Sequence, residues 1–251
     1  MRARFLILLV FAFLALGGVV QGQTGATSKA GEKGKKNSRP GAAVSADPHI
    51  AADNNVKAGP VTHIYEFTRP GFSYSPVRIE HDDDGRGKIT FQKDGYDEVI
   101  SDPLSLSPIT ISRLQEIFAA LDFLNSTEDY QFESDYSHLG NVSITLRKNG
   151  RERTAKYNWT VNKHARELSE EYRRIANEYT WLFEFGVARV NQPLRTPGMM
   201  DALDGYLRRN EIPDPPHLLP YLTQLSSDER LPLMARNHAL KLIKNIEKSK
   251  K

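Results

Sequence analysis

The 251-residue chain contains no cysteine. That absence excludes disulfides, thiolate zinc sites, cysteine nucleophiles and the lipid-bearing cysteine of a bacterial lipoprotein. Small exported eukaryotic domains usually rely on disulfides because their cores are limited, so an exported chain without any reads as bacterial. Several motifs are missing as well: G-x-S-x-G, H-E-x-x-H, the P-loop, G-x-G-x-x-G and S-x-x-K. The histidines, at 49, 63, 81, 138, 164, 217 and 238, are scattered, with no pair at ligand spacing. A zinc centre would have to be assembled from distant residues.

Long apolar runs are also missing, with one exception. Arg2 and Arg4 precede an apolar stretch from Phe5 to Val20, interrupted by Gly17 and Gly18 and followed by Gln21-Gly22. This is the layout of an export signal with a cleavage site. The stretch falls short of the roughly 20 residues needed to cross a bilayer core. Residues 1–22 are therefore read as a signal peptide, and the protein as exported, periplasmic or secreted, with no membrane span after cleavage.

Aromatic residues are missing from positions 23–60, which are mostly Gly, Ala, Ser, Lys, Asn and Pro. Such a segment buries too little apolar surface to offset its ordering entropy, so it reads as a disordered basic linker. Charge is unevenly spread. Residues 23–60 hold six Lys/Arg against three acids, and 236–251 hold six against one. Residues 61–235 are left with 20 basic and 27 acidic residues, a net of −7. The folded part is acidic, which argues against nucleic acid as a partner.

From Val61 onward the pattern is that of a folded domain. His63 to Thr68 is rich in β-formers; Val77 and Ile79, then Ile89 and Phe91, alternate with polar residues as in half-buried antiparallel strands. A third strand is expected over 96–100, after Asp94-Gly95. Beyond Asp102-Pro103, Leu114, Ile117, Phe118 and Leu121 recur at helical spacing. This predicts a helix over 111–122 with Thr110 as N-cap and an Ile109–Leu114 staple. Two strands follow, 142–147 and 151–159, joined through Asn149-Gly150, the strongest short hairpin signal because a type I′ turn needs positive φ at both positions. In the next helix, expected over 163–185, Ala165, Leu168, Tyr172, Ile175, Tyr179 and Leu182 form a seam that must pack along another element. The predicted fold is α+β: a small antiparallel sheet of four to five strands packed by two helices, in the order β-β-(β)-α-β-β-α, over residues 61–190.

The stretches VRIEHDDDGRGKITF (77–91), ISRLQEIFAALDFLN (111–125) and VSITLRKNG (142–150), in this order of elements, resemble an uncharacterised domain family of exported bacterial proteins and lipoproteins. The resemblance spans residues 62–180 and lacks the early cysteine pair often seen there. It implies a fold and an export route and supplies no catalytic residues.

Residues 195–251 read as a helical C-terminal region with helices over 199–209, 217–225 and 231–247. The stretch LLPYLTQLSSDERLPLMARNHALKLIKNIEK resembles a HEAT-type helical hairpin. One such hairpin cannot bury a continuous core unaided. It must pack on the preceding domain or be completed by a partner, expected to be an envelope or extracellular protein contacting residues 197–251.

The sharpest candidate site is EHDDDGRGKITFQKDG (80–95). Glu80, Asp82, Asp84 and Gly85 fall at positions 1, 3, 5 and 6 of an EF-hand-like Ca²⁺ loop, although Phe91 replaces the bidentate Glu at position 12. The flanks read as strands, so the competing reading is the polar tip of a β-hairpin, with Glu80 near Lys88 across the strands. No other cofactor is indicated. Function is expected to be that of an exported non-catalytic binding or scaffolding module of the bacterial cell envelope. The alternative is an extracellular hydrolase using paired carboxylates from Asp82, Asp83, Asp84, Glu128, Asp129, Glu133 and Asp135.

Overall fold

The computed structural model describes residues 60–249. The expected signal peptide and all but the last residue of the expected linker lie outside the described residues. The fold is α+β. Six strands, β1 (His63–Thr68), β2 (Tyr74–His81), β3 (Arg86–Lys93), β4 (Val99–Ser105), β5 (Asn141–Lys148) and β6 (Arg151–Tyr157), form one antiparallel sheet in the order β4-β3-β2-β1-β5-β6. Five α-helices are α1 (Pro108–Ala120), α2 (Lys163–Asn191), α3 (Thr196–Arg208), α4 (Leu219–Ser227) and α5 (Leu233–Ser249). Among the described residues no helix is long and apolar enough to cross a membrane.

The sheet has more strands than expected, and β4 lies later in the chain than 96–100. It runs through Asp102-Pro103, which reads locally as a strand end. Pro103 is tolerated because β4 is an edge strand, where a missing N–H breaks no ladder, and buried Leu104 anchors it to the core.

Helix α1 begins earlier than the pattern predicts. Ser107, not Thr110, is the N-cap: its Oγ accepts the Thr110 N–H at 3.2 Å. Ile109 is 55% exposed, so the expected staple to Leu114 is not made. Leu106 and Ile111 occupy the N′ and N4 positions instead, and both come within 2.9 Å of the point where a Cβ on Gly85 would stand.

The two hairpins use glycine differently. Between β5 and β6, Asn149 and Gly150 adopt φ of 53° and 73°, as a type I′ turn requires. In the β2–β3 hairpin Gly85 has φ of 75°, whereas Gly87 supplies room: a Cβ there would lie 1.8 Å from the Glu80 carbonyl oxygen.

Helix α2, at 29 residues and roughly 43 Å long, organises the rest. Every residue of its predicted seam is buried. Tyr172 stacks on Tyr65 of β1 at 4.9 Å, Phe183 meets Phe91 of β3 edge-on at 5.3 Å, and the Tyr157 hydroxyl donates to the Ala165 carbonyl at 2.6 Å. The Tyr179 hydroxyl accepts the Ser105 N–H at 2.9 Å and donates to the Ser105 carbonyl at 2.5 Å, tying the end of edge strand β4 to the helix.

The C-terminal half of α2 is buried on a second side, by α3, α4 and α5. Trp181 and Phe185 meet Tyr221 of α4 edge-on, each at 6.2 Å, and the Trp181 indole donates to the Met199 carbonyl at 2.9 Å. Met200, Leu203, Leu222, Leu225, Ala239 and Leu242 join the same hydrophobic core as the sheet. The α4–α5 hairpin is thus packed on the preceding elements. Charges on α2 are buried with it. Glu171, 1% exposed, accepts from Arg113 of α1 at 2.9 Å and from Arg174 at 3.0 Å. Glu178 pairs with His217 at 2.9 Å, and Arg189 with Asp228 at 2.5 Å.

Three stability outcomes follow. Glu171→Ala removes a buried carboxylate from two guanidinium groups that keep partial access to water, and chemical denaturation should show a loss of about 1–3 kcal/mol. Gly87→Ala forces β2 and β3 apart and should cost about 1–3 kcal/mol. Gly150→Ala, with nothing within 4 Å of the new Cβ, should cost only the left-handed backbone term of about 1–2 kcal/mol.

Candidate ligand-binding groove

Because α1 and α2 cover one face of the sheet, side chains alternating to the other face remain open, and strand register sets them in rows. One row crosses all six strands: Lys156 of β6 opposite Ser143 of β5, Ser143 opposite Glu66 of β1, Glu66 opposite Arg78 of β2, Arg78 opposite Thr90 of β3, and Thr90 opposite Ser101 of β4. A second row runs from Asn141 to Thr68 and, beyond the irregularity in β2, from Gln92 to Val99.

A groove of about 570 Å³ lies on this face and takes its walls from every strand, with Gln131 at the β6 side. Five inter-strand spacings of ~4.8 Å give it a reach of roughly 24 Å across the strands. Within it Arg78 hydrogen-bonds Glu66 and also Glu80 (2.8 Å), and Thr90 lies 3.3 Å from Ser101. The groove therefore presents hydroxyls, side-chain amides and largely offset charge on a lining that also includes Pro76, Val77, Phe91, Val99 and Val142. It can hold a polar ligand by hydrogen bonds.

The carboxylates singled out in the sequence make the following contacts. Glu80 stands on the open face opposite Lys88, as expected, with Lys88 at 3.3 Å and Arg78 at 2.8 Å. Hydrogen bonding from Arg78 holds its carboxyl below the usual range, against the opposing effect of partial burial. Asp82 is 4% exposed, and its Oδ1 accepts the N–H groups of Asp84 (3.0 Å) and Arg86 (2.8 Å). Asp84 points outward to Arg86 at 3.3 Å. Among the described residues no group of three or more His, Asp or Glu side chains is gathered as for a metal ion. The 128–135 acids hold their own loop: Asp129 accepts the Gln131 N–H, Asp135 the Ser137 N–H and the Asn158 amide, and Glu128 the Asn162 amide.

A second cleft, of about 480 Å³, is lined by His63, Asp83, Phe118, Asp122, Lys148 and Arg151 among others. His63 stacks on His81 at 4.5 Å and 6°, a pair that no sequence spacing announces. The His81 Nδ1–H donates to the Asp82 carbonyl at 2.7 Å, which leaves its Nε2 to accept the Tyr172 hydroxyl at 3.1 Å. The Thr62 hydroxyl donates to Asp83 at 3.1 Å and so accepts the His63 Nδ1–H at 2.7 Å. Burial first, and then the neighbouring His81, push the His63 pKa down to about 3, with Asp83 opposing. Burial lowers His81 as well. A base this weak is poorly matched to proton abstraction near neutral pH, so the pair reads as a structural element at the base of the β2–β3 hairpin.

This arrangement fixes the sign of an acid response. Both imidazoles are neutral when folded and have an ordinary pKa near 6.5 when unfolded. The stability His63 supplies is complete above about 6.5 and is lost as pH falls from there toward 3, by up to ~1.4 kcal/mol per unit, and His81 contributes in the same direction. His217 acts in the opposite sense. Burial disfavours its charge, but the Glu178 carboxylate holds its pKa above the usual value, so its contribution is present at low pH and lost as pH rises through that raised value. In urea titrations at pH 7, 5.5 and 4.5, His63→Phe should lose stability less steeply with acid than the wild type.

No family model matches the chain, and no curated protein matches it.

Proposed function

We propose that this protein is an exported, non-catalytic binding or scaffolding module of the bacterial cell envelope, and that it takes a polar, extended ligand in the groove across the open sheet face. The observation that carries this reading is the row Lys156-Ser143-Glu66-Arg78-Thr90-Ser101, a line of polar side chains on a face that no helix among the described residues covers. A ligand lying along the row crosses the strands at right angles. It meets side chains rather than a free strand edge, so recognition depends on the identity of those side chains. The apolar leader, the absence of cysteine and the resemblance to exported bacterial domains supply the envelope setting.

The expected partner surface within residues 197–251 narrows to the outer side of α5. Its inward residues are consumed in the core, whereas Leu233, Met234 and Leu240 are exposed, with Leu233 and Leu240 one heptad apart. Deleting 197–251 would uncover Trp181, Phe185 and Arg189 of α2, so surface substitutions are the cleaner probe.

Affinity capture from envelope extracts tests the groove. Ser143→Trp fills its centre and should remove captured material relative to the wild type at an unchanged thermal midpoint. Equal capture by both proteins would rule out the groove. Leu233→Glu/Leu240→Glu should leave capture intact if the groove alone binds, and diminish it if α5 contributes.

A further inference from the structure

Beyond the groove lining at the β6 side, a ledge of aromatic rings is tied to Gln131 through Asn158. Gln131 and Tyr157 line the groove. Close to them along the chain, Phe132 and Trp159 are joined by a hydrogen bond from the Phe132 N–H to the Trp159 carbonyl at 2.9 Å. Tyr136 stacks on Phe132 at 6.3 Å and 22°, and lies 5.8 Å from Trp159. Trp159 is 44% exposed, and Leu139 and Val161 beside this ledge in sequence are exposed too.

Amide hydrogen bonds hold the ledge in place. The Gln131 side chain donates to Asn158 Oδ1 at 3.1 Å and accepts the Asn158 N–H at 2.8 Å. Asn158 Oδ1 also accepts the Tyr136 N–H at 3.0 Å, and its Nδ2 donates to Asp135 at 2.6 Å. One asparagine thus fixes the approach of the 129–139 loop to the end of β6. Rings fixed before contact lose little entropy on binding.

We propose that the ledge and groove together bind a neutral glycan chain, with the C–H face of a sugar ring on Trp159 and Tyr136 and the following hydroxyls along the row of groove side chains. This rests on the reading of the groove as the ligand site. Three observations select this occupant. Aromatic faces are electron-rich and attract polarised C–H hydrogens, which suits a pyranose ring, with one apolar face and a hydroxyl rim, beside a groove of mixed lining. The Glu66–Arg78 pairing keeps the net charge of the row low, which suits a neutral ligand that offers hydroxyls to the remaining lone pairs and N–H groups. A nucleic acid would meet a folded region, residues 61–249, with 28 acids against 24 basic residues, the wrong sign for phosphate.

The test is sedimentation of the full-length chain with insoluble cellulose, insoluble chitin and purified peptidoglycan. The expected result is retention on at least one polymer, reduced at least tenfold in Trp159→Ala and in Tyr136→Ala and partly kept in Trp159→Phe, all at the wild-type thermal midpoint. Retention on none of the three, or equal retention of the alanine variants, overturns the glycan assignment. The two readings fail separately. If Ser143→Trp abolishes capture of envelope material while no polysaccharide retains the wild type, the groove stands and the glycan does not. If Ser143→Trp changes nothing, the groove itself is lost.

Discussion

Helix α2 has to bury two faces at once, and the rest of the molecule is arranged around that requirement. Its tyrosine-rich stripe lies on the sheet, where Tyr172 meets Tyr65 and Tyr179 holds the end of β4. Its other side carries Trp181 and Phe185 together with Glu171, Glu178 and Arg189, all buried. Buried charges need partners, and each draws its partner from a different element: Arg113 from α1, His217 from the turn before α4, Asp228 from the α4–α5 turn. The apolar contacts hold α3–α5 against α2, and the paired charges fix where along it they sit. A lone helical hairpin has no stable core; here α2 supplies one.

Stacking all of this on one side leaves the opposite face of the sheet open. Antiparallel sheets commonly work this way, with one face in the core and the other in water. Here all six strands contribute to one polar row, because successive hairpin registers bring Ser143, Glu66, Arg78 and Thr90 level. The groove is therefore a consequence of where α2 packs.

At the acidic tip of the β2–β3 hairpin, the three consecutive aspartates each make separate contacts. Asp82 closes the turn through two backbone N–H groups, Asp83 engages Thr62 and Lys148, and Asp84 faces Arg86. A carboxylate that accepts two backbone donors is already well satisfied. Behind the tip, burial keeps the His63–His81 stack neutral, so an acidic turn sits against two uncharged imidazoles.

The sequence by itself determined what depends on neighbours in the chain. The period-two alternation of Val77, Ile79, Ile89 and Phe91 places those strands, Asn149-Gly150 places a hairpin through its demand for positive φ, and the 165–182 seam places a helix against a sheet. Local signals also set the errors: Asp102-Pro103 reads as an ending unless β4 is known to be an edge, and Thr110 reads as a cap unless Ser107 is seen to hold its N–H. Tertiary structure alone decided which residues share a surface. Lys156 and Ser101 stand at opposite ends of one row only because five antiparallel registers align, and a shift of one residue in any of them would turn that strand's row residues to the helix face. His63 and His81 stack, Glu178 meets His217, and Trp159 joins Tyr136 for the same reason: their separations in sequence are too large for periodicity to encode, and only packing brings them together.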